Sequence, residues 1–178
     1  MRVEFEPIVT ARLRLRRSRP EDAEAISRYR SDPEVQRFQG WERTDVEGVR
    51  EEILQMASRA PGDPGGWVQL TVEDRGSGEL VGDVGLSPVE GEPGTIKIGY
   101  TIAPERQGRG YGTEAVGALV DLVLRDLGAD VVRIHASADN VASIRLAEKL
   151  GFRFVRRFEH RDGDEVWSVV RYERPRET

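Results

Sequence analysis

Residues 95–112 run from an apolar, β-branched stretch straight into Gln107-Gly108-Arg109-Gly110-Tyr111-Gly112, and an apolar helical pattern starts immediately afterwards. Glycine at every second position of a strand-to-helix junction limits what the chain can build there. The glycines permit left-handed backbone, and the junction gathers several N–H groups at one helix start. A helix N-terminus carries unpaired donors and the positive end of the macrodipole, and a backbone without Cβ atoms comes close to an anion. The segment is therefore either a plain glycine turn or a cradle for a diphosphate. Two other phosphate motifs fail on spacing. A P-loop ends in Gly-Lys-Ser/Thr, whereas Gly110 precedes Tyr111, and a dinucleotide fingerprint needs its third glycine one position beyond Gly112.

Periodicity on either side predicts a mixed α/β layer. Leu13 and Leu15 alternate with Arg12, Arg14 and Arg16, the two-residue period of a strand with one wet face. Further strands are expected over 67–73, 80–86, 95–103, 131–136, 152–160 and 165–172. Asp74-Arg75-Gly76-Ser77-Gly78 and Asp162-Gly163 supply hairpin turns. Helices are expected over 20–30, closed by Asp32-Pro33, over 45–59, over 113–127 with Val116, Leu119, Val120, Val123 and Leu127 on one face, and over 141–150. The Pro/Gly loop at 61–66 is too short to act as an interdomain linker, and no repeat or low-complexity tract is present.

The 178 residues suit a single domain over 1–178 that needs no covalent staple. Cysteine is absent, which removes disulfides, thiolate zinc sites and a cysteine nucleophile, and fits a reducing, cytoplasmic setting. Neither a signal-peptide core nor an apolar run of membrane-spanning length occurs. A formal charge of −5 argues against nucleic acid as a partner and suits cationic acceptors better, although net charge says little about one cleft.

A second motif follows the first at about thirty residues: Asn140-Val141-Ala142-Ser143, a helix, then Lys149-Leu150-Gly151-Phe152. The ordered pair resembles the GNAT superfamily of acetyl-CoA-dependent N-acetyltransferases through Gln107, Gly110, Gly112, Asn140, Ser143, Gly151 and Phe152. The upstream segments Thr10-Ala11-Arg12-Leu13-Arg14-Leu15-Arg16, Pro20-Glu21-Asp22-Ala23 and Ser31-Asp32-Pro33-Glu34-Val35 resemble the branch that acetylates ribosomal-protein N-termini. The likeness covers roughly residues 8–173. It implies the GNAT fold: a single mixed, mostly antiparallel sheet of about seven strands flanked by about four helices, splayed between the fourth and fifth strands.

The resemblance also implies a site. Ile102 and Ala103 would offer backbone groups to pantetheine, and Gln107, Gly108, Arg109, Gly110, Tyr111 and Gly112 would hold the pyrophosphate, with Asn140 and Ser143 turned to the coenzyme. Asn140 is equally an ordinary helix cap. The implied reaction is direct attack of a neutral amine on the thioester, with no acetyl-enzyme. The tyrosine that many relatives use as general acid is replaced by Ala147, which makes Ser143 the candidate, as in the N-terminal acetyltransferase branch.

No base stands out. Asp83, Glu105 and Glu114 are candidates that read more simply as structural carboxylates. His135 and His160 are isolated and make no metal site. Phe38, Trp41 and Trp67 either border an acceptor cleft or fill core, and the charged residues around 156–164 read as a solvated face. Freeing a lysine-like amine at pH 7 costs about 4 to 5 kcal/mol and an α-amine about 1 kcal/mol, so a missing base favours an N-terminal amine. The reading is an acetyltransferase acting on a protein or peptide N-terminus. Its alternatives are an aminoglycoside or polyamine acetyltransferase and a non-catalytic acyl-CoA-binding module, in a monomer or homodimer.

Overall fold

Alternation becomes burial in β2 (Leu13–Arg17), where Leu13 and Leu15 are fully buried on one face while Arg14 and Arg16 point to the other. The computed structural model describes residues 5–177, the side chain of Asp162 apart; residues 1–4 and 178 of the expected domain lie outside the described residues. β2 belongs to one sheet with β1 (Ile8–Val9), β3 (Val68–Asp74), β4 (Leu80–Pro88), β5 (Thr95–Ile102), β6 (Val131–Ser137), β7 (Arg153–Asp162) and β8 (Glu165–Pro175). The spatial order is β1-β2-β3-β4-β5-β6-β8-β7. Only β5 and β6 run parallel among the described strands; every other neighbouring pair is antiparallel.

Among the described residues five α-helices flank the sheet: α1 (Ala23–Arg30), α2 (Pro33–Gln36), α3 (Val46–Met56), α4 (Tyr111–Asp121) and α5 (Val141–Lys149). α4 widens into a π-helical turn over Leu122–Asp126 before Gly128, at φ +67°, ends it. Ala115, Val116, Leu119 and Val120 of α4 press onto Leu13, Leu15, Leu70, Val72, Val84, Leu86, Ile96 and Ile98, forming the main core. A second, smaller core lies on the other face, where Ala23, Ile26 and Tyr29 of α1 meet Val49 and Ile53 of α3.

Two elements exceed the expected seven strands and four helices. β1 is two residues long, too short to show a period. Asp32-Pro33 ends one helix and also starts α2: the Asp32 carboxylate accepts from Glu34 N–H at 2.9 Å, and Pro33 sits at the first helical position. The last hairpin turns at Gly163-Asp164, one residue later than expected, because Asp162 pairs with Glu165.

The face opposite α4 carries buried charge. Arg16 grips Asp22 with two bonds of 2.8 and 3.0 Å and donates through Nε to Glu73 at 2.8 Å. Burial by itself raises the Asp22 carboxyl, but hydrogen bonds from Arg16 and from Arg19 N–H outweigh it and hold the group below its ordinary value of 3.8. Asp22→Ala leaves Arg16 buried with a broken network, and should cost about 3 kcal/mol or more at pH 7, read as a lower urea midpoint. Because the folded carboxyl is depressed, its contribution is present above pH 3.8 and is lost as pH falls through the folded value. The gap between variant and wild type should therefore close in acid.

Candidate active site

β5 and β6 pair from Thr95↔Val131 to Ile98↔Ile134 and then separate, although β5 continues to Ile102 and β6 to Ser137. Ala103 N–H donates to Val81 O and Val89 N–H to Thr95 O, both at 2.9 Å, so the odd-numbered residues of β5 bond to β4. Tyr100 and Ile102 consequently aim N–H and C=O into the gap. The same argument applies across the gap. Ala138 N–H bonds Ser168 O and Arg176 N–H bonds Asp130 O, both at 2.8 Å, so even residues of β6 face β8 and His135 faces β5. The result is a cleft of about 920 Å³ through the sheet, floored by unpaired strand edges.

The glycine turn forms one wall. Gly108 and Gly110 adopt φ +73° and +81°, conformations open to glycine and strained for other residues. Gly110 is the N-cap of α4, and the first helical bond runs from Glu114 N–H to Gly110 O at 3.1 Å. Ahead of it, the N–H groups of Tyr111, Gly112 and Thr113 have no carbonyl acceptor among the described residues and lie at the cleft. A Cβ on Gly112 would stand 3.1 Å from Leu146 Cδ1 and 3.5 Å from Ile102 Cγ1. Its absence lets the helix start close against α5 and the gap. These donors and the bare backbone fit a diphosphate.

The other predicted residues take distinct places. Gln107 lines the cleft and donates through Nε2 to Ile102 O at 3.0 Å, so that carbonyl is already engaged while Ile102 N–H is not. Ala103 is buried with its N–H bound to Val81 and does not line the cleft. Arg109 also stands away from it; its carbonyl accepts from Arg12 at 2.8 Å, and its side chain is exposed. The Tyr111 ring is an anchor, packed beneath Arg12 at 4.6 Å with its hydroxyl donating to Asp74 at 2.8 Å.

Asn140 caps α5, its Oδ1 accepting from Ser143 N–H at 3.1 Å. Ser143 lines the cleft at 9 % exposure, as does Tyr100, whose phenol is pushed above its ordinary value by burial, with the Ser143 hydroxyl pulling the other way. The motif spacing does not single out Tyr100. The one signal for it in the chain is its even position on β5, just past the last paired residue.

The candidate bases leave the cleft. Asp83 is 1 % exposed and is held by Tyr29 Oη, Gln69 Nε2 and, at 3.6 Å, Arg30. Glu114 accepts from Thr10 Oγ1, Arg12 N–H and Arg12 Nε at 2.6 to 2.9 Å, stapling the β1–β2 turn to α4. Glu105 is exposed outside the cleft. His135 lines it, but burial first, then Lys97, Arg171 and neighbouring arginines, push its imidazole down to about 4. Arg171 Nε donates to His135 Nε2 at 3.3 Å, occupying the lone pair a base would need. Trp67 packs over Gly85 and Gly99 beside the cleft, Trp41 stacks under Arg30, and Phe38 lines the opening. No cluster of metal-ligating side chains occurs among the described residues, and no described helix is long and apolar enough to cross a membrane.

This fold and site define a coenzyme A-dependent acyltransferase. The family model for the acetyltransferase (GNAT) domain matches residues 12–153, so the chain belongs to the GNAT family; it is an N-acetyltransferase whose acetyl donor is acetyl-CoA. It is similar to the uncharacterized N-acetyltransferase YoaA of Bacillus subtilis, 30% identical over 97% of this chain and 99% of the relative. Among solved structures it resembles a putative ribosomal-protein-serine acetyltransferase from Vibrio cholerae (TM-score 0.81, 23% identity, 98% of this chain and 99% of that one). It also resembles a spermidine N-acetyltransferase chimera from Vibrio cholerae (TM-score 0.77, 20% identity, 93% and 96%). Neighbours named for such different acceptors share the fold and leave the acceptor to this chain's own residues.

Gly110→Ala forces a Cβ into left-handed backbone at about 1–2 kcal/mol, which the turn relieves by rotating its amides. Calorimetry should show acetyl-CoA binding weakened by about tenfold or more, with the unfolding midpoint lowered by only a few degrees.

Proposed function

We propose that this N-acetyltransferase acts on the N-terminal amine of a protein or peptide, in the cytoplasm, through one acetyltransferase domain, as a monomer or homodimer. The observation that carries this reading is the lack, among the described residues, of a buried carboxylate lining the gap; of the two imidazoles that line it, His135 has its Nε2 occupied by Arg171 and His160 is exposed on the last hairpin. Glu34 of α2 is the acidic residue lining the cleft, and its side chain is largely exposed. A lysine-like or polyamine nitrogen held at pH 7 needs a strong base, whereas an α-amine is substantially neutral near its own pKa and gives its proton to water.

Acetyl-CoA supplies an acetyl group already activated as a thioester. The chain's residues do the rest. The N–H groups of Tyr111, Gly112 and Thr113 bind the diphosphate, and the N–H groups of Tyr100 and Ile102 orient the arm along the gap. Ser143 holds a proton at Oγ where sulfur departs, with the Tyr100 phenol lining the same cleft. Apolar walls, the buried Ile134 and the half-buried Leu146 among them, thin out water around the reacting atoms.

Ser143→Ala tests the acid role cleanly. The Asn140 cap uses the Ser143 N–H, which alanine keeps, so folding should hold while kcat falls by roughly 10² and KM for acetyl-CoA barely moves. The acceptor reading is tested by offering matched peptides with free and blocked N-termini, each containing an internal lysine, and locating the acetyl group by mass spectrometry. Label confined to the α-amine of the free peptide is expected. Equal labelling of both peptides, preferential turnover of a polyamine or aminoglycoside, or acetyl-CoA binding without turnover of any amine would each overturn it.

A further inference from the structure

Burial under α4 fixes which way the residues at the gap point. Ile98 and Ile134 lie in the main core on the α4 face, so their strand neighbours Lys97 and His135 point to the other face. The coenzyme's diphosphate site stands at the start of α4, and an acceptor must therefore approach from the face that Lys97 and His135 occupy. Past β4 that face is less covered: α1 and α3 contact β3 and β4, and α2 reaches the cleft through Glu34 and Val35.

That face is cationic, in a chain whose net charge is −5. Register places Lys97 opposite Arg133, whose other neighbour is Glu173, in one row, and His135, Arg171 and Arg156 opposite one another in the adjacent row across β6, β8 and β7. Arg133 is neutralised, by Glu92 at 2.5 Å and Glu173 at 2.7 Å. Lys97, Arg171 and Arg156 have no salt-bridge partner among the described residues. Arg171 leans on the His135 nitrogen at 3.3 Å, while Arg156 and Arg171 both stack on the Phe158 ring, at 5.1 and 5.9 Å. The Lys97 ammonium stands 5.8 Å from the Trp67 ring centroid. Like charges spaced this closely along adjacent strands repel, a cost that a folded chain offsets when an anion settles among them.

Resting on the N-terminal reading above, we propose that the acceptor is a peptide with Asp or Glu among its first few residues, whose carboxylates are held by Lys97 and Arg171 while the α-amine enters the gap. Lys97 stands one residue before the last paired position, and His135 one residue after it on the partner strand. At about 3.3 Å per strand residue, a carboxylate one or two residues behind the amine reaches these rows. Phe158 and Trp167, which line the same opening, provide flat apolar surface for the peptide between the two charges. A polycation meets like charge at Lys97 and Arg171, with the exposed Glu34 as the one carboxylate lining the cleft among the described residues, so spermidine-like acceptors are disfavoured by that pair.

The test is kinetic, using three peptides identical except at positions 2–4, which carry acidic, neutral amide or lysine side chains, with spermidine as a fourth acceptor. The expected order of kcat/KM is acidic, neutral, basic, with about tenfold or more between the first two, carried in KM. The ratio of acidic to neutral kcat/KM is the readout, because partial unfolding of a variant scales both equally. Lys97→Glu should invert that ratio and favour the lysine peptide. Arg171→Gln should reduce it, and Arg171→Lys should restore some of it. Peptides acetylated at their N-termini with equal kcat/KM in all three forms would overturn this proposal and leave the N-terminal reading standing. Turnover of spermidine in preference to every peptide would overturn both.

Discussion

The divergence of β5 from β6 after four paired residues is the constraint on which the active site depends. A parallel pair in the middle of a sheet normally keeps its hydrogen bonds, because unpaired backbone groups inside a protein are costly. Here Tyr100, Ile102 and His135 face a partner that has moved away. The chain satisfies the Ile102 carbonyl with the Gln107 side chain and the Tyr100 carbonyl with Gln39 at 3.5 Å, and leaves N–H donors along one edge. Those donors, with the free amides of the first α4 turn, form a continuous polar track for an extended, diphosphate-bearing ligand.

The two faces of the sheet share the work unequally. Under α4 the face is almost wholly aliphatic, from Leu13 through Ile98 to Val132, and it fixes the helix whose first turn presents free amides at the cleft. The opposite face buries charge in closed groups: Arg16 with Asp22 and Glu73, Asp83 with Tyr29, Gln69 and Arg30, and Arg133 with Glu92 and Glu173. Each group carries its own counter-charge. Against that background the cations Lys97, Arg171 and Arg156, in two adjacent rows without ion-pair partners among the described residues, are distinct, and net composition conceals them.

Much of the fold was legible in the chain because its signals are local. The period of two at Leu13 and Leu15, the helical stripe Val116, Leu119, Val120, and the Gly-rich turn between them each report on a few neighbouring residues. β1 escaped because two residues have no period, and α2 escaped because Asp32-Pro33 serves as stop and start at once. In the site, Gln107, the glycines, Asn140 and Ser143 were visible as motif positions. Tyr100, Lys97 and Arg171 were not, since their proximity is set by register between strands far apart in sequence.

The sequence by itself determined the strand and helix order, the left-handed glycine turn at a helix start and the absence of cysteine chemistry, because these follow from backbone sterics and from residue type. Only the tertiary structure decided which carboxylates are spent on buried arginines, which strand edges stay open, and what sign of charge faces the gap. Those depend on cross-strand register, and a one-residue slip in register would turn every one of these side chains to the other face of the sheet.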